Sequence, residues 1–195
     1  KSKIDTGQTE FQNLVKELNP KSPLNEVQIC AQSYNHFFSD DSPEKLITYP
    51  IKKDAIQFLQ YLIPAAISVL EQNLDSEDII SCLSSISIFI QKDKDDVPNL
   101  YRLTIQILTS TNKFILGKSE SILRNFTNNI HFCEKIINQD FFDIYQIGKS
   151  IGEINSDLSF ILLRRCIEKT KSLPNQKIIN EIKQHFSESS AEHLC

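Results

Sequence analysis

Methionine and tryptophan are absent from this sequence, and glycine occurs only 4 times in 195 residues. So little glycine argues against a sheet protein with many tight hairpin turns, which need residues able to adopt positive φ. The four glycines (Gly7, Gly117, Gly148 and Gly152) are scattered and form neither GxGxxG nor a Walker A loop. That excludes nucleotide sites of the common kinds, and no Gly-x-Ser-x-Gly elbow occurs either. No apolar run reaches the roughly 18 residues of a membrane span. The longest, Phe58 to Leu70, is interrupted by Gln60 and Pro64. No basic segment precedes an apolar one as in a signal peptide. With Lys1 at its start and no methionine, the chain reads as a piece of a longer protein; the alternative is that methionines or loops are missing from it, which would shift some local spacings.

Positive charge is not in excess. The formal net charge is −4, with 21 basic and 25 acidic residues. Nucleic-acid binding is therefore disfavoured overall, although net charge does not describe local distribution. The five cysteines, Cys30, Cys82, Cys133, Cys166 and Cys195, are odd in number and contain no tight pair. Cys82, Cys133 and Cys166 fall within apolar helical stretches. They read as small buried hydrophobes in a reducing compartment, cytoplasm or nucleus, rather than as a disulfide framework.

Helical periodicity runs through the chain. Phe11, Leu14, Val15 and Leu18 form one stripe over Thr9–Leu18, ended by Asn19-Pro20. A second helix is predicted from Leu24 to Phe38, followed by the breaker Ser39–Pro43 and by Tyr49-Pro50. Ile51 to Gln72 reads as helix, with Pro64 predicting a kink or two helices meeting end to end. Asp75-Ser76-Glu77-Asp78 supplies a cap and an acidic first turn for a helix to Gln91. After the charged loop Lys92–Asp96, further helices are predicted from Val97-Pro98 to Ser110, over Ser119–Asn128, Ile130–Asn138 and Phe141–Lys149, from an Asn155–Asp157 cap to Lys171, and from Pro174 to Phe186. Ser187–Cys195 reads as a frayed tail. No segment alternates cleanly as a strand between hairpin turns.

A repeat underlies the C-terminal two-thirds. Leu83-Ser84-Ser85-Ile86, Leu123-Arg124-Asn125-Phe126 and Leu163-Arg164-Arg165-Cys166 stand 40 residues apart. Each follows an acidic or serine-rich helix start: Ser76–Asp78, Ser119–Ser121 and Ser156-Asp157. One helical unit of this size cannot bury its apolar face alone, whereas stacked units bury it against each other.

The block Ser121-Ile122-Leu123-Arg124-Asn125-Phe126-Thr127-Asn128-Asn129 resembles the third helix of an armadillo repeat, with its Leu-Arg-Asn-Leu-like core. Phe132, Ile136, Ile137, Phe141 and Phe142 resemble the start of the next repeat. The resemblance implies an all-α chain, a right-handed α-solenoid of armadillo/HEAT-like repeats. Residues 76–186 would form the repeats, 1–75 irregular helices capping the same solenoid, and 187–195 the tail. The pattern departs at Arg165 and Ser85, which occupy the asparagine position in the flanking blocks. The resemblance also implies a concave face on which Ser85, Asn125 and Arg165 form a ladder, with Arg124, Asn128 and Arg164 beside it. An asparagine there can bond both N–H and C=O of an extended peptide, and the arginines suit an acidic residue or phosphate. A polar rim that only solubilises the helices is the alternative. The tryptophan–asparagine array of the nuclear-import karyopherins is absent.

No catalytic set emerges. His36, His131, His185 and His193 lie outside zinc-ligand spacings, and His131 and Cys133, two apart on a helix, point to different sides. Asp40-Asp41 and Asp95-Asp96 read as solvated turns rather than as an acid/base pair. The sequon Asn125-Phe126-Thr127 lies on a helix in a protein of reduced cysteines and reads as a chance match. The expectation is a non-enzymatic, cofactor-free and metal-free adaptor whose partners are proteins, through a peptide segment or a helix. The alternative is a helical-repeat nucleic-acid-binding domain, for RNA or DNA, using a stripe through Lys113, Lys118, Arg124, Lys135, Lys149, Arg164, Arg165, Lys169 and Lys171.

Overall fold

The computed structural model describes residues 3–38, 51–92, 97–110, 113–140, 156–180 and 183–184. The expected breaker 39–43, Pro50, most of the charged loop, the helix 141–149, the cap side chains at 155–157 and the tail 187–195 lie outside these residues. Among the described residues every regular element is helical: α1 (Lys3–Glu17), α2 (Leu24–Phe38), α3 (Lys52–Glu71), α4 (Glu77–Ile86), a 3₁₀ segment (Ser87–Lys92), α5 (Leu100–Thr109), the single turn α6 (Lys113–Leu116), α7 (Ser119–Phe126), α8 (Ile130–Lys135), a π-turn segment (Ile136–Asp140) and α9 (Ser156–Thr170). A final helical segment, α10, covers 176–180.

The apolar stripes become one continuous core from Phe11 to Ile178. At its N-terminal end Phe11 meets Tyr34, Phe58 and Phe38 edge-on, at ring separations of 5.4, 5.5 and 6.5 Å. Gly7 shows why α1 needs a residue without Cβ. A Cβ at this position would lie 2.2 Å from the Phe37 ring and 2.5 Å from Phe37 Cβ, so α1 and α2 could not close as they do.

Helix ends are closed by identifiable devices. After α3, Asn73 takes a left-handed conformation (φ 49°), and the N–H groups of Asn73 and Leu74 return to the carbonyls of Leu70 and Val69. This is a Schellman closure with asparagine in glycine's usual place. Asn129 caps α8 by accepting from the Phe132 N–H at 3.0 Å. Asn175 does the same for α10 through Ile178 N–H, and its amide donates to the Asn138 carbonyl of the π-turn segment at 2.6 Å.

Three expectations are corrected. Helix α1 starts at Lys3 rather than Thr9. Of the two readings at Pro64, two helices meeting end to end is overturned, since α3 is continuous from Lys52 to Glu71. Pro64 is exposed, so the intrahelical bond it removes lies on the outer side of the helix. Ser76 occupies the N-cap position of α4, but its buried hydroxyl makes no capping bond. Asp78 instead joins α4 to α2, accepting from Gln32 at its carboxylate and from Asn35 at its main-chain carbonyl.

Packing follows chain order. Helix α1 lies on α2, α2 on α4, α3 on α4 and α5, the 3₁₀ segment and α5 on α7, α7 on α9, and α8 on α9. Among the described residues α1 and α2 make no more than incidental contact with α7, α8 or α9.

Candidate functional site

The three repeat blocks fall on α4, α7 and α9, and their key leucines Leu83, Leu123 and Leu163 are all buried. Helix α7 touches both α4 with its 3₁₀ extension and α9. Positions 85, 125 and 165 therefore stand on consecutive neighbouring helices.

On α7 the polar residues divide by exposure. Asn125 is half-buried, and its Nδ2 donates to Ser87 Oγ at 2.8 Å. The Ser87 hydroxyl in turn donates to the Ser84 carbonyl at 3.0 Å. Ser87 is fully buried, so this bridge ties α7 to the last turn of α4. Asn128, also half-buried, turns back to the Arg124 carbonyl at 3.3 Å, which Thr127 Oγ1 approaches at 2.7 Å. Ser85 on α4 and Arg165 on α9 are half-buried.

Arg124 and Arg164 each follow a buried leucine and are exposed. Each lies within reach of a carboxylate on its own helix: Arg124 with Glu120 at 3.0 Å and Arg164 with Glu168 at 2.9 Å. Such exposed pairs contribute about 0–1 kcal/mol, so a partner's carboxylate can exchange with them at little cost.

Sequence reasoning missed Ser87, because nothing in a local helical pattern announces a bond to a residue 38 positions away. It also missed a surface cleft across α3. One part, of about 340 Å³, is lined by Asn19, Leu24, Tyr61, Pro64 and Ser68 among others. An adjoining part, of about 240 Å³, shares Pro64 and Ser68 and reaches Glu71 and Arg102. Arg102 Nε donates to Glu71 at 3.1 Å there. The internal proline, read above as a kink, marks its middle.

Cys30, Cys82, Cys133 and Cys166 are fully buried free thiols. Burial pushes Cys30 up to about 12 and Cys82 well above the ordinary thiol value. The Cys166 thiol hydrogen-bonds Cys133 and holds it below the ordinary value, with Lys169 acting in the same direction. Cys166, as the donor and deeply buried, is raised. Among the described residues no three His, Cys, Asp or Glu side chains converge on a possible metal position, and no helix is long and apolar enough to cross a membrane. No family model, curated protein or solved structure matches the chain.

Proposed function

We propose that this chain is a non-catalytic protein-interaction scaffold, an α-solenoid of armadillo/HEAT-like repeats working in the cytoplasm or nucleus. The observation that carries the reading is the order of packing. Helices bearing blocks 40 residues apart lie side by side, α4 with its 3₁₀ extension on α7 and α7 on α9, and contacts run between near neighbours in the chain. A repeat array stabilised by neighbour interfaces is built this way, and arrays of this kind present extended surfaces to partners. The buried, unbridged cysteines fit a reducing compartment.

The proposed surface centres on Arg124, Asn128, Arg164 and Arg165, with Ser85 and Asn125 supporting it from half-buried positions. It suits an extended or helical partner segment carrying carboxylates. The RNA-binding alternative draws less support, because acidic residues outnumber basic ones, 25 to 21, for a formal net charge of −4. The test is affinity capture with the wild-type chain and with Arg164→Glu/Arg165→Glu, each checked for unchanged helicity. The scaffold surface predicts loss of specific partners from the variant. An identical set of captured proteins removes this surface from the proposal.

A further inference from the structure

Leu173 is the most exposed large apolar residue among the described ones. It is 77% accessible, against 49% for Ile29, the next in order. A single apolar residue on a surface is ordinary, but this one is held out by pinned neighbours on both sides. Before it, Lys171 takes a left-handed conformation (φ 57°) and returns its N–H to the Ile167 carbonyl at 2.9 Å, closing α9. Ser172 follows, its N–H donating to Thr170 Oγ1 at 3.2 Å. After it, Pro174 is buried, and Asn175 both caps α10 and bonds the Asn138 carbonyl at 2.6 Å. Ile178 is buried one turn later. Leu173 is thus the tip of a fixed turn, and bringing it inward would break these bonds.

Around the tip the charge is of one sign. Residues 169–180 contain Lys169, Lys171 and Lys177 and no acidic residue, in a chain whose formal net charge is −4. All three lysines are exposed. The negative end of α9 accounts for Lys169 and Lys171, since cations stabilise a helix C-terminus. It does not account for Leu173. Nor does it account for Lys177, which stands in the first turn of α10, where the dipole opposes a cation.

We propose that this turn is a docking tip for an anionic membrane surface, with Leu173 entering below the headgroups while Lys169, Lys171 and Lys177 meet the headgroup anions. Charge complementarity selects an anionic partner, and shape selects among anionic partners. At 77% exposure Leu173 has no groove walls beside it to hold a peptide segment. A polyanion such as nucleic acid meets the lysines but leaves the leucine in water. A lipid surface takes up an apolar side chain wherever the two meet, and it presents anions to every surrounding lysine at once. One leucine and three lysines give reversible binding that needs both parts, well short of a permanent anchor. This inference is independent of the scaffold reading, because it uses none of Arg124, Asn128, Arg164 or Arg165.

The test uses the whole chain and vesicles of phosphatidylcholine, with and without one-third phosphatidylserine. Cosedimentation at low salt should show binding to the vesicles containing phosphatidylserine only, lost at high salt. The sequence has no tryptophan, so Leu173→Trp places a single indole at the tip. Its emission should shift to the blue on anionic vesicles and be quenched by lipids brominated along the acyl chain. Lys169→Gln/Lys171→Gln should weaken binding roughly thirtyfold, about five- to sixfold per lysine, and Leu173→Ser about tenfold. Lys16→Gln/Lys21→Gln removes the same charge from exposed positions at the other end of the core and should change binding by less than about twofold. Each substituted side chain is exposed, so no core contact is lost. No binding to anionic vesicles by a chain with its helical circular dichroism, binding that leaves the indole in water, or equal losses from the two lysine pairs each overturns the proposal. Binding of poly-glutamate or of mixed single-stranded DNA, unaffected by Leu173→Ser, while anionic vesicles stay unbound assigns the lysines to a protein or nucleic-acid partner and overturns it as well.

Discussion

Replacing Phe11 by alanine tests whether stability in this chain is a sum over neighbouring helices. Phe11 is fully buried and meets three aromatic rings, Tyr34 on α2, Phe38 at the end of α2 and Phe58 on α3. Truncating a buried phenylalanine costs about 3–5 kcal/mol, and edge-on ring pairs worth about 0.5–1.5 kcal/mol each place this site in the upper half of that range. At about 1.4 kcal/mol per tenfold, amide exchange through opening of the N-terminal helices accelerates roughly 10³-fold or a few times more. Among the described residues α1 packs on α2 and less extensively on α3, while α8 and α9 pack on each other and α9 on α7. In a nearest-neighbour array the penalty therefore stays local. Native-state hydrogen exchange read by mass spectrometry should show faster exchange in peptides from α1, α2 and α3 and unchanged protection in α8 and α9. Acceleration by one common factor from α1 to α9 would mean a single cooperative unit, and the stacking argument behind the proposed function would fail with it.

Two further outcomes follow from individual contacts. Asn125→Ala removes a part-buried 2.8 Å bond to Ser87 and should lower stability by about 1 kcal/mol in urea; with Ser87→Ala the double variant should cost less than the sum by about 0.5 kcal/mol or more. Strict additivity would show that the bond contributes nothing. Alkaline pH should destabilise the fold through Cys30 and Cys82, whose folded pKa values are raised. Stability from such groups is complete below the unfolded thiol value of 9.0 and is lost as pH rises towards the folded value, about 12 for Cys30. Between pH 8 and 10 Cys30 alone accounts for about 1.4 kcal/mol, with Cys82 acting in the same direction. The Cys30→Ala/Cys82→Ala variant should flatten this fall in the urea midpoint, and an equally steep fall in the variant would refute burial of these thiols as its cause.

Much of the helical order was legible because it depends on a local period. The stripe through Phe11, Leu14, Val15 and Leu18 packs into the core, with Leu14 partly buried, and Leu83, Leu123 and Leu163 are buried, since a helix can hide only one face against its neighbour. What was not legible depends on partners far away in sequence. The first turns of α1 carry Thr6 and Gly7, poor helix formers, and propensity alone starts that helix too late. Close packing of Gly7 against Phe37 outweighs the roughly 1 kcal/mol that glycine costs in a helix. The helix after Ile86 was expected to continue to Gln91. It tightens to 3₁₀ at Ser87, where the serine hydroxyl turns back to the Ser84 carbonyl and receives Asn125.

That last contact also bears on the candidate surface. In the ladder that the repeat pattern implies, the residue at position 125 meets a partner's backbone. Here one Asn125 N–H is committed to a fully buried serine on the preceding block. A peptide replacing it would leave the Ser87 oxygen without that donor, at a cost of about 1–3 kcal/mol. The cheaper route runs through Arg124 and Arg164, because their present carboxylate partners are exposed and exchangeable. One position along a helix is a rotation of about 100°, so Arg124 points to solvent while Asn125 turns to Ser87. Asn125 bonds α7 to the end of the preceding block, and in the proposed scaffold it is the exposed arginines one position earlier that a partner's carboxylate would meet.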